Sequence, residues 1–254
     1  VVRRFPVRRR DTAAFDRVNR KLMQGQRLSL QEEQTFVEEM VNSPQLYEYM
    51  LDSSDDYSLY VFIPYMFGTT YFGMQICPEK SVLIPCFHDE AYLYLRLFRQ
   101  AYIQARGMIY NAMPEMELAG RVYDFSSTEQ ICMGIGMDTD LHPDAEAFRK
   151  AYHIEKPFLL YAGRKDTGKN VHTLLRYFAE FKRRQPSDLQ LVLIGGGQIE
   201  IPVSVQDDVY DLGFVTAQDK YNAMAAAELL CQPSHNESFS LVIMESWLCG
   251  RPVL

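Results

Sequence analysis

Residues Cys231–Val253 read CQPSHNESFSLVIMESWLCGRPV. Leu229, Leu230 and Cys231 close an apolar run of strand type, and Pro233 to Ser238 is polar and turn-rich. A helix is expected from about Phe239 to Leu248. Gly250 stops it, and Arg251-Pro252-Val253-Leu254 begins another extended segment. The unpaired backbone N–H groups in the first turn of such a helix favour an anionic ligand in the preceding loop. Two carboxylates bracket that cradle, Glu237 in the loop and Glu245 on the helix. A carboxylate at each end can hold hydroxyl groups beside an anion, so the stretch suits a phosphorylated sugar or a nucleotide.

Upstream, the same strand–loop–helix grammar recurs. Phe158 to Ala162 reads as a buried strand ending in Gly163-Arg164-Lys165-Asp166-Thr167-Gly168-Lys169-Asn170, with a helix from Val171 to about Arg184. Arg164 offers a bidentate fork and Lys169 a flexible point charge, which suits a diphosphate. The Lys-Ser/Thr ending of a Walker loop is absent. Leu189 to Ile194 is the next strand, followed by Gly195-Gly196-Gly197. Glu200 stands where a GxGxxG motif needs its last glycine, yet these glycines let backbone approach a ligand. Val209 to Leu212 precedes Gly213-Phe214-Val215, a loop able to flank a flat base, and a helix from about Ala217 to Ala226 leads back to Leu229.

The first half reads similarly. Helices are expected on Phe15, Val18 and Leu22, after a Ser29/Glu32 capping box, and from Pro44. Apolar runs at Leu59–Ile63, Val82–Phe87, Met108–Tyr110 and Ile131–Ile135 read as strands. Helices at Ala91 to about Ala105 and from Pro114 through Leu118 separate the last three. Such alternation without tight hairpins indicates parallel sheets, whose ligands bind beyond the carboxyl ends of the strands. His88, Asp89 and Glu90 lie at one such end, as cleft residues or as a plain helix start. Gly68-Thr69-Thr70 is read as a loop. Asp138-Thr139-Asp140 matches a metal-holding DxD, but falls in a linker (Leu141-His142-Pro143), where a solvated turn is the simpler reading and no metal is assigned. Two domains follow, 1-142 and 143-254.

Composition narrows the class. The 254 residues carry a net charge of -7, with no long charged tail, which speaks against bulk nucleic-acid binding. The basic N-terminus (Arg3, Arg4, Arg8, Arg9, Arg10) is a solvated surface or a contact with anionic lipid. Five scattered cysteines without CxxC fit reduced thiols and a cytoplasmic setting. No apolar run of about 18 residues is present, so any membrane contact is peripheral. The chain starts at Val1 and stops as a strand begins, so both ends are read as cut.

Several landmarks together resemble the donor domain of family 4 glycosyltransferases of GT-B architecture. They are Gly163-Arg164 with Lys169, Gly195-Gly196-Gly197, Leu212 to Val215, Pro233-Ser234 followed by Glu237 and Glu245, and Gly250-x-Pro252-Val253. His88 and Gly134-x-Gly136-Met137-Asp138 resemble landmarks of the other half more loosely. Asn170 and Ser240 stand where the family usually has Gly, and Ser246 where it has Ala. The resemblance implies two Rossmann-like doubly wound α/β domains facing a cleft, truncated at both termini. It implies a retaining hexosyltransferase that moves a sugar from a nucleotide-diphosphate sugar to a glycan or lipid-linked acceptor, without metal or cofactor, as in envelope polysaccharide assembly at the inner face of the membrane. Carried over, Arg164 and Lys169 neutralise the diphosphate, Glu237 meets the donor sugar, Glu245 the ribose, and His88 a sugar hydroxyl. Gly163, Gly196, Phe214, Ser238, Phe239, Ser240 and Leu241 complete the donor site. Rival readings are a glycoside hydrolase using Glu237 and Glu245, a non-catalytic nucleotide-sugar binding module or inactive fragment, and a GT-B epimerase.

Overall fold

The computed structural model describes residues 1–254. They form two compact units that divide between Ile135 and Gly136, on the near side of the 142/143 boundary expected from the Pro-containing linker.

The first unit opens with three helices whose starts follow from their caps. Asp11 accepts from Ala14 N ahead of α1 (Thr12–Met23), and Ser29 and Glu32 form a reciprocal capping box at α2 (Leu30–Glu39). Pro44 occupies the first turn of α3 (Pro44–Asp52). Four short strands then alternate with helices: β1 (Tyr60–Phe62), α4 (Gly68–Met74), β2 (Ser81–Leu83), α5 (Arg96–Tyr102), β3 (Gly107–Tyr110), α6 (Met113–Val122) and β4 (Glu129–Cys132). The sheet is parallel throughout, in the order β1-β2-β3-β4. Phe36, Phe87, Phe98 and Tyr102 fill its core.

Two expectations change here. Gly68-Thr69-Thr70 is the first turn of α4, not a loop. Gly68 lies so close to α2 that a Cβ would sit 2.5 Å from the Val37 carbonyl oxygen, so packing rather than propensity sets this helix. The helix expected over 91–105 is broken: a 3₁₀ turn (Ala91–Tyr94) is followed by extended Leu95 and then α5. The buried Glu33 carboxylate imposes the break by accepting from Leu97 N at 3.1 Å and from Arg96 Nε at 2.8 Å.

The second unit contains α7 (Ala145–Tyr152), β5 (Phe158–Ala162), α8 (Val171–Arg184), β6 (Gln190–Ile194), β7 (Val209–Gly213), α9 (Ala217–Ala226), β8 (Leu229–Leu230) and α10 (Leu241–Leu248). Its strands pair in parallel in the order β7-β6-β5-β8. Both faces of β5 are buried. Phe158, Leu160 and Ala162 pack with Phe148, Met224 and Leu230, while Tyr161 packs with Leu175, Phe178 and Leu193. Coverage on both faces explains the near-continuous apolar runs in β5 and β6. The chain proceeds from β5 through β6 to β7 on one side, then returns to place β8 on the other. The order therefore reverses between β5 and β8, and at such a switch point the loops after adjacent strands diverge to leave a crevice at the carboxyl ends.

Candidate active site

The loop after β5 and the loop after β8 flank that crevice, and each carries one half of the charge predicted for the site. Lys169 Nζ donates to Glu237 Oε1 at 2.6 Å, an ion pair three-quarters buried on both sides. Asn170 Nδ2 reaches the Pro233 carbonyl at 3.1 Å and His235 Nε2 at the same distance. Residues far apart in sequence are thus tied across the switch point. Arg164 remains 75% exposed on its side chain, with only Asp166 as a partner at 3.3 Å. Its backbone is anchored instead, because the Tyr161 hydroxyl donates to the Arg164 carbonyl at 2.6 Å. Burial raises the Tyr161 phenol pKa, the charges of Asp166 and Glu237 raise it further, and Arg164 opposes them.

The floor of the site is backbone. Gly163 N donates to Ile194 O at 3.0 Å, Lys165 N to Gly196 O at 2.7 Å, and Gly195 N to Gly213 O at 2.7 Å. A Cβ on Gly195 would lie 2.1 Å from the Gly163 carbonyl oxygen, and its φ is +114°. Between adjacent Arg164 and Lys165, the buried one is Lys165, with a side chain 1% exposed. Its ammonium donates to Asp211 Oδ1 at 2.7 Å and to Gly195 O at 2.5 Å, pinning the loop after β5 to the glycine loop and to β7. Sequence reading missed this strut: nothing in Arg-Lys-Asp says which cation turns inward.

A cavity of about 420 Å³ opens on this floor, lined among others by Gly163, Arg164, Gly196, Phe214, Thr216 and Lys220. Phe214 is 86% exposed, and its ring lies so close to Gly196 that a Cβ there would be 2.7 Å from two ring carbons. An exposed ring thus packs directly over a glycine beside the cavity.

The α10 helix begins two residues later than expected. Ser240 adopts φ +50° as its N-cap, and Leu241 is the first helical residue. Ser238 and Phe239 form the half-buried approach to it. Gln232 Nε2 donates to Ser240 Oγ at 3.1 Å. Asn170, the N-cap of α8, also has a positive φ of 56°. Both departures from the family's usual glycine thus fall on left-handed backbone, a conformation open to asparagine and, at some strain, to serine. Glu245, one turn into α10, is 8% exposed and accepts from Lys220 Nζ at 2.5 Å.

His88 lies in the first unit, after β2. Its Nδ1 is 3.0 Å from Glu90 Oε1, which also accepts from the Tyr65 hydroxyl at 2.7 Å. The Glu115 carboxylate, at the start of α6, accepts from Phe87 N and Asn111 N at 2.7 Å each, so it organises the ends of β2 and β3 together. Asp138 and Asp140 are exposed. Asp138 Oδ1 accepts from Asp140 N at 3.0 Å, and Asp140 meets His142 at 3.2 Å, so the DxD segment satisfies itself locally. The cysteines are unpaired thiols, and burial raises Cys231 to about 11.

Residues 156–254 match the model of a family described as glycosyl transferases group 1. A D-inositol 3-phosphate glycosyltransferase of Saccharomonospora viridis is 32% identical over 174 residues, covering 61% of this chain and 40% of that protein. The N-acetylgalactosamine-N,N'-diacetylbacillosaminyl-diphospho-undecaprenol 4-alpha-N-acetylgalactosaminyltransferase of Campylobacter jejuni is 30% identical over 197 residues, covering 74% of this chain and 52% of that protein. The chain therefore spans about half the length of these curated relatives, or less. Among solved structures, Anabaena HepE in complex with UDP-glucose superposes with a TM-score of 0.65 at 20% identity, over 87% of this chain and 67% of that one. Sucrose-phosphate synthase from Thermosynechococcus elongatus gives 0.64 at 19% identity, over 90% and 62%. These two likenesses concern the fold. Residues 156–254 thus carry the match to the group 1 glycosyl transferases, and each of the two parallel α/β units has the form found in the GT-B fold.

Proposed function

We propose that the second unit binds a nucleotide-diphosphate sugar and that the protein transfers the sugar, with retention of anomeric configuration and without a metal ion, to an acceptor hydroxyl. The observation that carries this reading is the Lys169–Glu237 pair across the switch point, beside Arg164 and the start of α10. A diphosphate placed there meets two cations and the free N–H groups around Ser240 and Leu241. Such preorganised charge is worth most where negative charge grows, on the departing diphosphate. Glu237, held by Lys169, faces the donor sugar. Gly196 and Phe214 take the base, Glu245 the ribose, and His88 a sugar hydroxyl. Gly163, Ser238 and Phe239 shape the walls. Cationic side chains supply the charge that a metal supplies elsewhere.

The hydrolase alternative fits less well. Glu237 and Glu245 are each engaged by a lysine, at 2.6 and 2.5 Å, rather than standing as a bare carboxyl pair across a glycosidic bond.

The relatives' names point to a phosphorylated polyol or a lipid-linked saccharide as acceptor, and HepE was solved with UDP-glucose. We therefore propose a glycan or lipid-linked acceptor, with action at the cytoplasmic face of a membrane in polysaccharide assembly. No helix is long and apolar enough to cross a membrane. The test is a thermal-shift panel of UDP-, GDP- and ADP-sugars followed by an assay of donor consumption. At least one donor stabilises the protein and is consumed if the proposal holds; uniform failure refutes it.

A further inference from the structure

Glu245 is gripped on one side only. Its Oε1 accepts from Lys220 Nζ at 2.5 Å and lies 3.4 Å from the Tyr221 hydroxyl. Its Oε2 is buried and has no hydrogen-bond partner. A buried carboxylate oxygen without a donor is unfavourable unless something else completes its shell. Lys220 itself is held in place, its ammonium 4.6 Å from the centroid of the Tyr221 ring. It also lines the cavity shared by Arg164, Gly196 and Phe214, as does Val242, three residues before Glu245 on α10.

We propose that Lys220 is the positioning residue for Glu245. By occupying Oε1 together with Tyr221, it turns Oε2 toward the vicinal hydroxyls of a bound ribose and makes the site select ribonucleoside over deoxyribonucleoside diphosphates. The inference rests on the reading of Glu245 as the ribose contact. A site built to bond a hydroxyl discriminates sharply against the analogue that lacks it, because its own buried group is then left unpaired. That discrimination requires the carboxylate to be charged and fixed in direction, and an ammonium on the opposite oxygen provides both. Removing the ammonium frees the carboxylate to turn, and the preference for ribose goes with it.

The test is a ratio of dissociation constants, measured by calorimetry on the full chain with UDP, GDP and ADP and then with the 2′-deoxy and 3′-deoxy forms of whichever binds. Wild type should prefer the ribonucleotide by about tenfold or more, the scale of a hydrogen bond to a charged group. Lys220→Met should bring the ratio within about threefold while binding of the deoxy forms changes little. Lys220→Arg, which keeps a donor at that position, should retain most of the preference. A purely structural role would lower the unfolding midpoint and weaken ribo and deoxy forms alike, leaving the ratio unchanged. If Lys220→Met does not fold, Lys220→Leu, which also removes the donor, is read in the same way. Full discrimination in the lysine variant overturns the inference and leaves the nucleotide site standing. Failure of wild type to bind any of the three nucleotides removes both, and binding without ribose preference removes the ribose contact and the inference with it.

Discussion

Substituting each of two neighbouring glycines by alanine separates what the floor of the site does for stability from what it does for binding. In Gly195→Ala the new methyl lies 2.1 Å from the Gly163 carbonyl oxygen and 2.8 Å from its carbon, both backbone atoms at the end of β5. That end is fixed by the bond from Gly163 N to Ile194 O at 3.0 Å, so it yields little. The φ of +114° adds strain of about 1–3 kcal/mol for a residue with a Cβ. Overpacking adds about 1–3 kcal/mol. The sum, about 2–6 kcal/mol, is a large share of the roughly 5–15 kcal/mol that holds a domain together. With a urea dependence of about 2 kcal/mol per M, the midpoint falls by about 1–3 M. In Gly196→Ala the clash is with the ring of Phe214, 2.7 Å away but 86% exposed and free to swing. That variant should stay within about 0.5 M of wild type. The swung ring alters the wall of the cavity, so the affinity for nucleoside diphosphates should change about 5- to 30-fold, equivalent to about 1–2 kcal/mol. Trp247 is the single tryptophan and lies in the second unit, so its fluorescence, read beside circular dichroism, follows the relevant transition. A wild-type urea midpoint for Gly195→Ala would refute the backbone-contact reasoning, and an unchanged nucleotide affinity for Gly196→Ala would remove Phe214 from the site.

Further outcomes can be checked with less effort. Arg164→Ala should weaken nucleoside diphosphate binding by about 1–3 kcal/mol, measured by calorimetry, because it deletes a charge-assisted contact. Lys169→Ala should lower turnover by about 10²–10³, as loss of a preorganised charge at the leaving group does, and it also frees Glu237; steady-state donor consumption reads this directly. Excess EDTA should leave donor turnover intact, whereas complete loss restorable by a divalent cation would overturn metal independence. Glu115 gives a pH signature. Burial raises its pKa, an effect partly opposed by the N–H groups of Asn111 and Phe87. A carboxyl raised in the folded state contributes stability that is present below the unfolded value of about 4.3 and lost as pH rises through the folded one. The stability difference between wild type and Glu115→Gln, followed by urea unfolding, should therefore shrink as pH rises above about 4. A growing difference would reverse the sign of the argument.

Much of the architecture can be read from the residues because local rules and tertiary packing agree. The helices on Phe15, Val18 and Leu22, after the Ser29/Glu32 capping box and from Pro44 form where expected, and the apolar runs at 158–162 and 189–194 supply the two central strands of the second unit. Reading fails where tertiary contact overrides local preference. A glycine pressed onto the Val37 carbonyl starts α4, and a buried carboxylate on Leu97 N breaks the helix expected over 91–105. Within the site, the motif positions are legible but their pairing is not. Lys169 and Glu237 lie 68 residues apart, and only the strand order brings them together. Lys165 and Lys220 escaped notice for a related reason. Burial of a lysine depends on a carboxylate elsewhere, here Asp211 and Glu245, and neither spacing is a recognisable pattern.

The account depends on a diphosphate lying against the loop after β5 and the start of α10. A crystal structure of the chain with the nucleoside diphosphate it binds most tightly among UDP, GDP and ADP tests this most directly. The predicted result has phosphate oxygens within hydrogen-bonding reach of Arg164, Lys169 and the N–H groups at Ser240–Leu241, with the base against Phe214. Phosphates bound elsewhere on the protein, with that loop unchanged, would contradict it.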